Sequence, residues 1–117
     1  MSVDAHRRAE TLMAEAERAA AQGHAKQARA LYHRAAEEEV RALTHIPASR
    51  SRTRGIIAVS AVALFRKSGA FDDAVRHASC YLGQDHLPDF AREQLQDLLV
   101  ESQRDREGVT LGRTQAE

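Results

Sequence analysis

Tryptophan is absent from this 117-residue chain, and its aromatic complement is three phenylalanines and two tyrosines. So thin a set of rings argues against the aromatic-rich packing of a β-sandwich and leaves few platforms on which nucleic-acid bases could stack. The only cysteine, Cys80, excludes an internal disulfide and is compatible with a reducing compartment. Neither charge sign prevails: 17 Lys and Arg balance 17 Asp and Glu, so no global field draws the chain toward nucleic acid or an anionic membrane. Long apolar runs are also missing. The longest, Ile56 to Phe65 with Ser60 inside it, is about half of the roughly 20 residues that span a bilayer. The polar start Met1-Ser-Val-Asp-Ala-His-Arg-Arg has no apolar signal-peptide core, and the cytoplasm is the expected location.

Motifs of chemistry are equally scarce. The chain has no Gly-rich phosphate loop, no paired-cysteine spacing and no nucleophile elbow. His77 and Cys80 stand one helical turn apart with His86 beyond, but a fourth metal ligand is missing. His6 with Glu10, and His33 with Glu37, are helix-neighbour pairs that can orient an imidazole, yet neither has a nucleophile beside it. The expectation is a protein that is not an enzyme and takes no cofactor or metal.

What the sequence does contain is helical periodicity. Ala5, Ala9, Leu12, Ala16 and Ala19 recur at spacings of four and three, and Gly23 follows as a left-handed stop. Ala25, Ala28, Tyr32, Ala35, Val40 and Leu43 mark a second helix that Pro47 ends. The stretch Pro47 to Arg54 offers Ser49, Ser51 and Thr53 as N-caps for a third helix, apolar on nearly every side and expected in the middle of the molecule. Phe71, Ala74, Val75, Ala78 and Leu82 predict a fourth helix stopped by Gly83, and Leu87, Ala91, Leu95, Leu98 and Leu99 a fifth that caps the second pair. The expected layout is one all-α domain over 1–105: hairpin 1 at about 4–44, connector 45–53, hairpin 2 at about 54–83 and a capping helix at about 87–105. A flexible tail over 106–117 follows.

Two segments share one signature: Gly23, Ala28, Tyr32 and Ala35, then Gly69, Ala74, Ala78 and Tyr81 at the same offsets. They resemble the tetratricopeptide repeat, in which a turn glycine is followed by alanine five positions on, an aromatic nine on and alanine twelve on. The first copy matches throughout. The second exchanges the sizes of its last two positions, and interlocking side chains can conserve volume through such a swap. The turn glycines lie 46 positions apart where the repeat has about 34, and the surplus falls in the end of helix two and the connector. The resemblance implies an antiparallel helical-hairpin array, an α-α superhelix, serving as a protein-binding adaptor. Its groove positions fall on Met13 and Glu17 in the first pair and on Val59, Ala63 and Lys67 in the second. Met13, Glu17 and Ser60 do not supply the Lys and Asn clamp with which co-chaperone members hold a peptide carboxylate.

The sharpest charge feature is Arg50, Arg52 and Arg54, because no acidic residue occurs from Val40 through Lys67 and Arg66 and Lys67 close the same helix. An extended connector gathers the three arginines into one patch, whereas a helical one sends Arg52 away from Arg50 and Arg54. The expected partner is another protein, acidic if the arginines bind it, held by these cations or by Met13 and Glu17 in the groove. A solvated loop paired with Glu37, Glu38 and Glu39 is the bland alternative. Two other readings stay open: a nucleic-acid-associated protein using the same arginines on phosphates, and a structural homo-oligomer that covers the ends of a short array.

Overall fold

The computed structural model describes the backbone of residues 2–116 and the side chains of residues 4–109, and every described element is helical. In chain order these are α1 (Ser2–Ala21), α2 (Ala25–Leu43), α3 (Ser51–Lys67), α4 (Phe71–Leu82) and α5 (Asp89–Ala116). They stack into an elongated body of 50 × 29 × 18 Å.

The two turn glycines do the same work. Gly23 and Gly69 have φ of +82° and +83°, a region in which a Cβ is strained. At the first turn Gly23 N–H donates to the Ala20 carbonyl (3.0 Å) and His24 N–H to that of Ala19 (2.8 Å). At the second, Gly69 N–H reaches Arg66 (3.0 Å) and Ala70 N–H reaches Phe65 (3.0 Å). Both are Schellman ends that satisfy the last carbonyls of one helix. The next helix begins at once, since the carbonyls of His24 and Ala70 accept from Ala28 and Ala74 N–H. Gly83 behaves differently from the expected stop: at φ −76° it closes α4 in the right-handed region.

α1 buries Ala5, Ala9, Ala16 and Ala19 against Ala28, Ala35, Ala36 and Ala42 of α2, side chains short enough to bring the two axes close. Among the described residues α1 packs on α2 and on no other helix. α3 is the centre. It packs against α2, α4 and α5, and buries Ile57, Ala58, Ala61, Val62, Leu64 and Phe65. Gly55 makes the α5 contact possible, because a Cβ there would stand 2.9 Å from Ala91 Cβ and 3.1 Å from the Pro88 ring. Ala78 and Tyr81, the positions whose sizes are exchanged, are both buried in this core.

α5 continues past residue 105, where the apolar pattern stops and a tail was expected, and is helical to Ala116. Arg66 holds Asp105 and Arg106 Nη1 lies 3.3 Å from Asp72 Oδ1, so polar contacts replace the apolar stripe at residues 105 and 106. Glu117 and the side chains from 110 on lie outside the described residues.

Replacing Gly23 by alanine meets no steric neighbour, so the change isolates backbone strain. Gly23→Ala is expected to lower unfolding free energy by about 1 kcal/mol, measured by urea denaturation, and D-alanine introduced by chemical synthesis should restore it.

Candidate functional site

Because α3 begins at Ser51, the arginines of the connector diverge. Arg50 is the exposed residue before the helix. Arg54 turns inward: its Nη1 donates to the Leu43 carbonyl (2.7 Å) and to that of Ile46, and its Nε to His86 Nε2 (3.0 Å). Leu43 and Ile46 sit at the C-terminal end of α2, where carbonyls lack helical partners and a cation is favoured. A guanidinium only donates, so His86 accepts through a bare Nε2. Arg54 is therefore a cross-tie between α2, α3 and the α4–α5 turn.

Arg66 is committed in the same manner. Its Nη1 meets Glu101 Oε2 and its Nε meets Asp105 Oδ2, each at 2.7 Å, which fastens α3 to α5. The Asp105 hydrogen bond, opposed by burial and helped by both carboxylate charges, holds the guanidinium more firmly protonated. Nor do the glutamates expected beside the connector pair with it: Glu37 meets His33, Glu38 meets Arg8 and Arg41, and Glu39 meets His6.

What remains open on α3 is one strip. Arg52 is exposed with its guanidinium carbon 5.6 Å from the Phe90 ring centroid, and Lys67 places its Nζ 5.6 Å from that of Tyr32. Both are cation–π arrangements that leave the charge facing water. Helical rise sets the two residues roughly 22 Å apart. Between them lie Ile56, 47% exposed and the most exposed large apolar side chain among the described residues, and the half-buried Val59 and Ala63. At the Lys67 end the strip opens into a depression of about 340 Å³ between Ala63, Phe71 and Leu98. The structure thus joins one connector arginine, Arg52, to the groove positions Val59, Ala63 and Lys67. It does not bring Met13 or Glu17 to them: both belong to α1, Met13 half-buried against the core and Glu17 in solvent.

Two other concavities contain polar pairs of their own. Between α2 and α4, Phe65 stacks on His77 (centroids 4.6 Å) and meets His33 edge-on (5.4 Å). His33 lies between Glu37 (3.2 Å) and Asp73 (3.5 Å), while His77 Nδ1 is 2.8 Å from the Asp73 carbonyl. Asp73 also takes Arg76 at 2.6 Å, and that bond, with His33 adding to it, holds its carboxyl below the usual range. Between α1 and α2 a groove of about 500 Å³ includes Arg7, Arg8 and Arg34, with Arg8 paired to Glu38 at 3.0 Å. No group of three or more His, Cys, Asp or Glu among the described residues is placed to hold a metal ion.

The largest departure from the sequence reading is Glu39, a fully buried carboxylate on α2. Its Oε1 lies 2.8 Å from His6 Nδ1, the other His6 nitrogen lies 2.9 Å from Glu10, and Oε2 has no hydrogen-bond partner. Carboxylates accept only, so an imidazolium donating from both nitrogens fits this site. The hydrogen bond to Glu39 raises the His6 pKa above its ordinary 6.5, overcoming the opposing effect of burial. The sequence carried a signal: Ala35, Glu39 and Ala42 recur at helical spacing on one face.

Comparison with known protein families, with curated proteins and with solved structures finds no match to the chain. No helix among the described residues is long and apolar enough to cross a membrane.

Two measurements check these assignments. Arg54→Ala leaves two carbonyls without their charged donor and should cost about 2 kcal/mol or more, whereas Arg50→Ala stays within about 0.5 kcal/mol in the same denaturation assay. Since the folded-state pKa of His6 is raised, its contribution is complete below the unfolded value near 6.5 and is lost as pH climbs through the higher folded value. Thermal stability should accordingly fall from mildly acidic to mildly alkaline pH, and His6→Gln should flatten that part of the profile.

Proposed function

We propose that the protein is a non-enzymatic, cytoplasmic adaptor that binds a protein segment along the exposed strip of α3, from Arg52 to Lys67. The observation that supports this most is the make-up of that strip. α3 carries no acidic residue, is buried on its other sides and exposes an apolar centre with a cation near each end. A segment with apolar residues in its middle and carboxylates toward both ends is the complementary ligand, its charges steering encounter and its apolar side chains supplying affinity.

The repeat-like features favour the same reading. Two hairpins turn through identical glycine geometry, as the tetratricopeptide resemblance implies, and in that family the first helix of each pair lines the binding groove. α3 is the first helix of the second pair. Contact of α1 with α2 alone departs from a regular superhelix, and the binding surface is accordingly confined to α3 and the helices flanking it. The nucleic-acid reading loses support, since Arg54 and Arg66 are spent on internal ties.

The test is titration with a synthetic amphipathic peptide bearing leucines on one face and glutamates about 15 residues apart. Binding is expected to weaken at least tenfold in the chain carrying Arg52→Glu with Lys67→Glu, and also in Ile56→Ser. Equal affinity in all three chains would remove the α3 strip from the proposal. A duplex DNA competitor that displaces the peptide with a steep salt dependence would instead favour phosphate binding.

A further inference from the structure

Within this neutral chain α3 stands apart as the one helix with charge of a single sign among the described residues. α3 contributes Arg52, Arg54, Arg66 and Lys67 and no anion, whereas the outer face of α5 presents Glu93, Asp97 and Glu107. These three are exposed, and among the described residues they have no ion-pair partner. They share their face with Val100, 44% exposed, and with Arg104. Glu93 and Glu107 are separated by roughly 21 Å of helix, which matches the roughly 22 Å between Arg52 and Lys67.

We propose that the outer face of α5 from a second copy of this chain occupies the α3 strip, so that the protein assembles with itself through α3–α5 contacts. The inference rests on the α3 strip being a docking surface and names one occupant for it. Laid antiparallel, the two helices fall into one register. Lys67 stands opposite Glu93 and one turn from Asp97, Arg52 opposite Glu107, and Val59 opposite Val100. Ala63 leaves room beside Asp97, and the aliphatic stem of Arg104 covers Ile56 while its guanidinium stays in water.

Pairing of α3 cations with α5 carboxylates already exists within one molecule, there between parallel helices and through the inward side of α5. α5 is fastened to α3 by Glu101 and Asp105 on Arg66, so the intermolecular contact extends a chemistry the fold uses. Two α3 strips laid against each other would bring like charges together, which disfavours strip-to-strip pairing.

Sedimentation of the full chain over a range of salt provides the test. Association is expected at low salt and should weaken as salt screens the exposed charges. A chain with Arg52→Glu and Lys67→Glu should be monomeric, as should one with Glu93→Lys and Asp97→Lys, while an equimolar mixture of the two should associate again. The milder pairs Arg52→Gln with Lys67→Gln and Glu93→Gln with Asp97→Gln should weaken association at least tenfold if a reversal disturbs folding. A wild-type chain that stays monomeric at every salt overturns the inference, as does a mixture that fails to associate. Peptide binding by such a monomer would leave the adaptor reading standing, which separates the two failures.

Discussion

One guanidinium holds the array together. Arg54 reaches from α3 to the carbonyl end of α2 and to His86 beyond α4, so three segments distant in sequence meet on one side chain. Its rigid fork of donors suits the task, because one group satisfies several acceptors that a helix end would leave to water. The next residue is Gly55, whose missing side chain admits Pro88 and Ala91. Residues 54 and 55 together thus fix where α3 stands relative to α2 on one flank and α5 on the other. Once α3 is fixed in that way, only the strip from Arg52 to Lys67 is left uncovered.

The first hairpin is organised by a different electrostatic choice. Its interface is mostly alanine, which provides close approach but little buried area per residue. Into that interface α2 inserts Glu39, and a buried carboxylate is costly unless paired. His6 supplies the pair from α1 and is itself anchored by Glu10. The ion pair fixes the register of α1 on α2, which a stripe of near-identical alanines specifies weakly.

Much of the scaffold was legible in the sequence, because the features that determine it are local. Gly23 and Gly69 read as helix stops and are so, the apolar run from Ile56 to Phe65 read as a central helix and is one, and the His6–Glu10 and His33–Glu37 pairs form as i,i+4 geometry requires. The arginines were harder. Whether Arg54 and Arg66 face water or the interior depends on Leu43, His86, Glu101 and Asp105, and no periodicity links them to those partners. The continuation of α5 past residue 105 was hidden in a similar way, since apolar spacing lapses there and Asp105 and Arg106 are held by Arg66 and Asp72. Gly55 and Glu39 are cases in which an interface contact, not local propensity, explains the residue. Of the surface residues singled out beforehand, Arg52 and Lys67 remain on the α3 strip, and Met13 and Glu17 belong to a different face.

The isolation of α1 has a kinetic meaning. A helix with a single neighbour can leave without disturbing the rest, whereas α3 cannot move unless α2, α4 and α5 all yield. The molecule therefore divides into two cooperative units of unequal resistance. One is the N-terminal helix, whose departure breaks only the α1–α2 interface; the other is the α2–α5 body, in which α3 is held by three neighbours. A three-residue Schellman turn links α1 to α2, so the detached helix stays tethered close by and re-docks quickly.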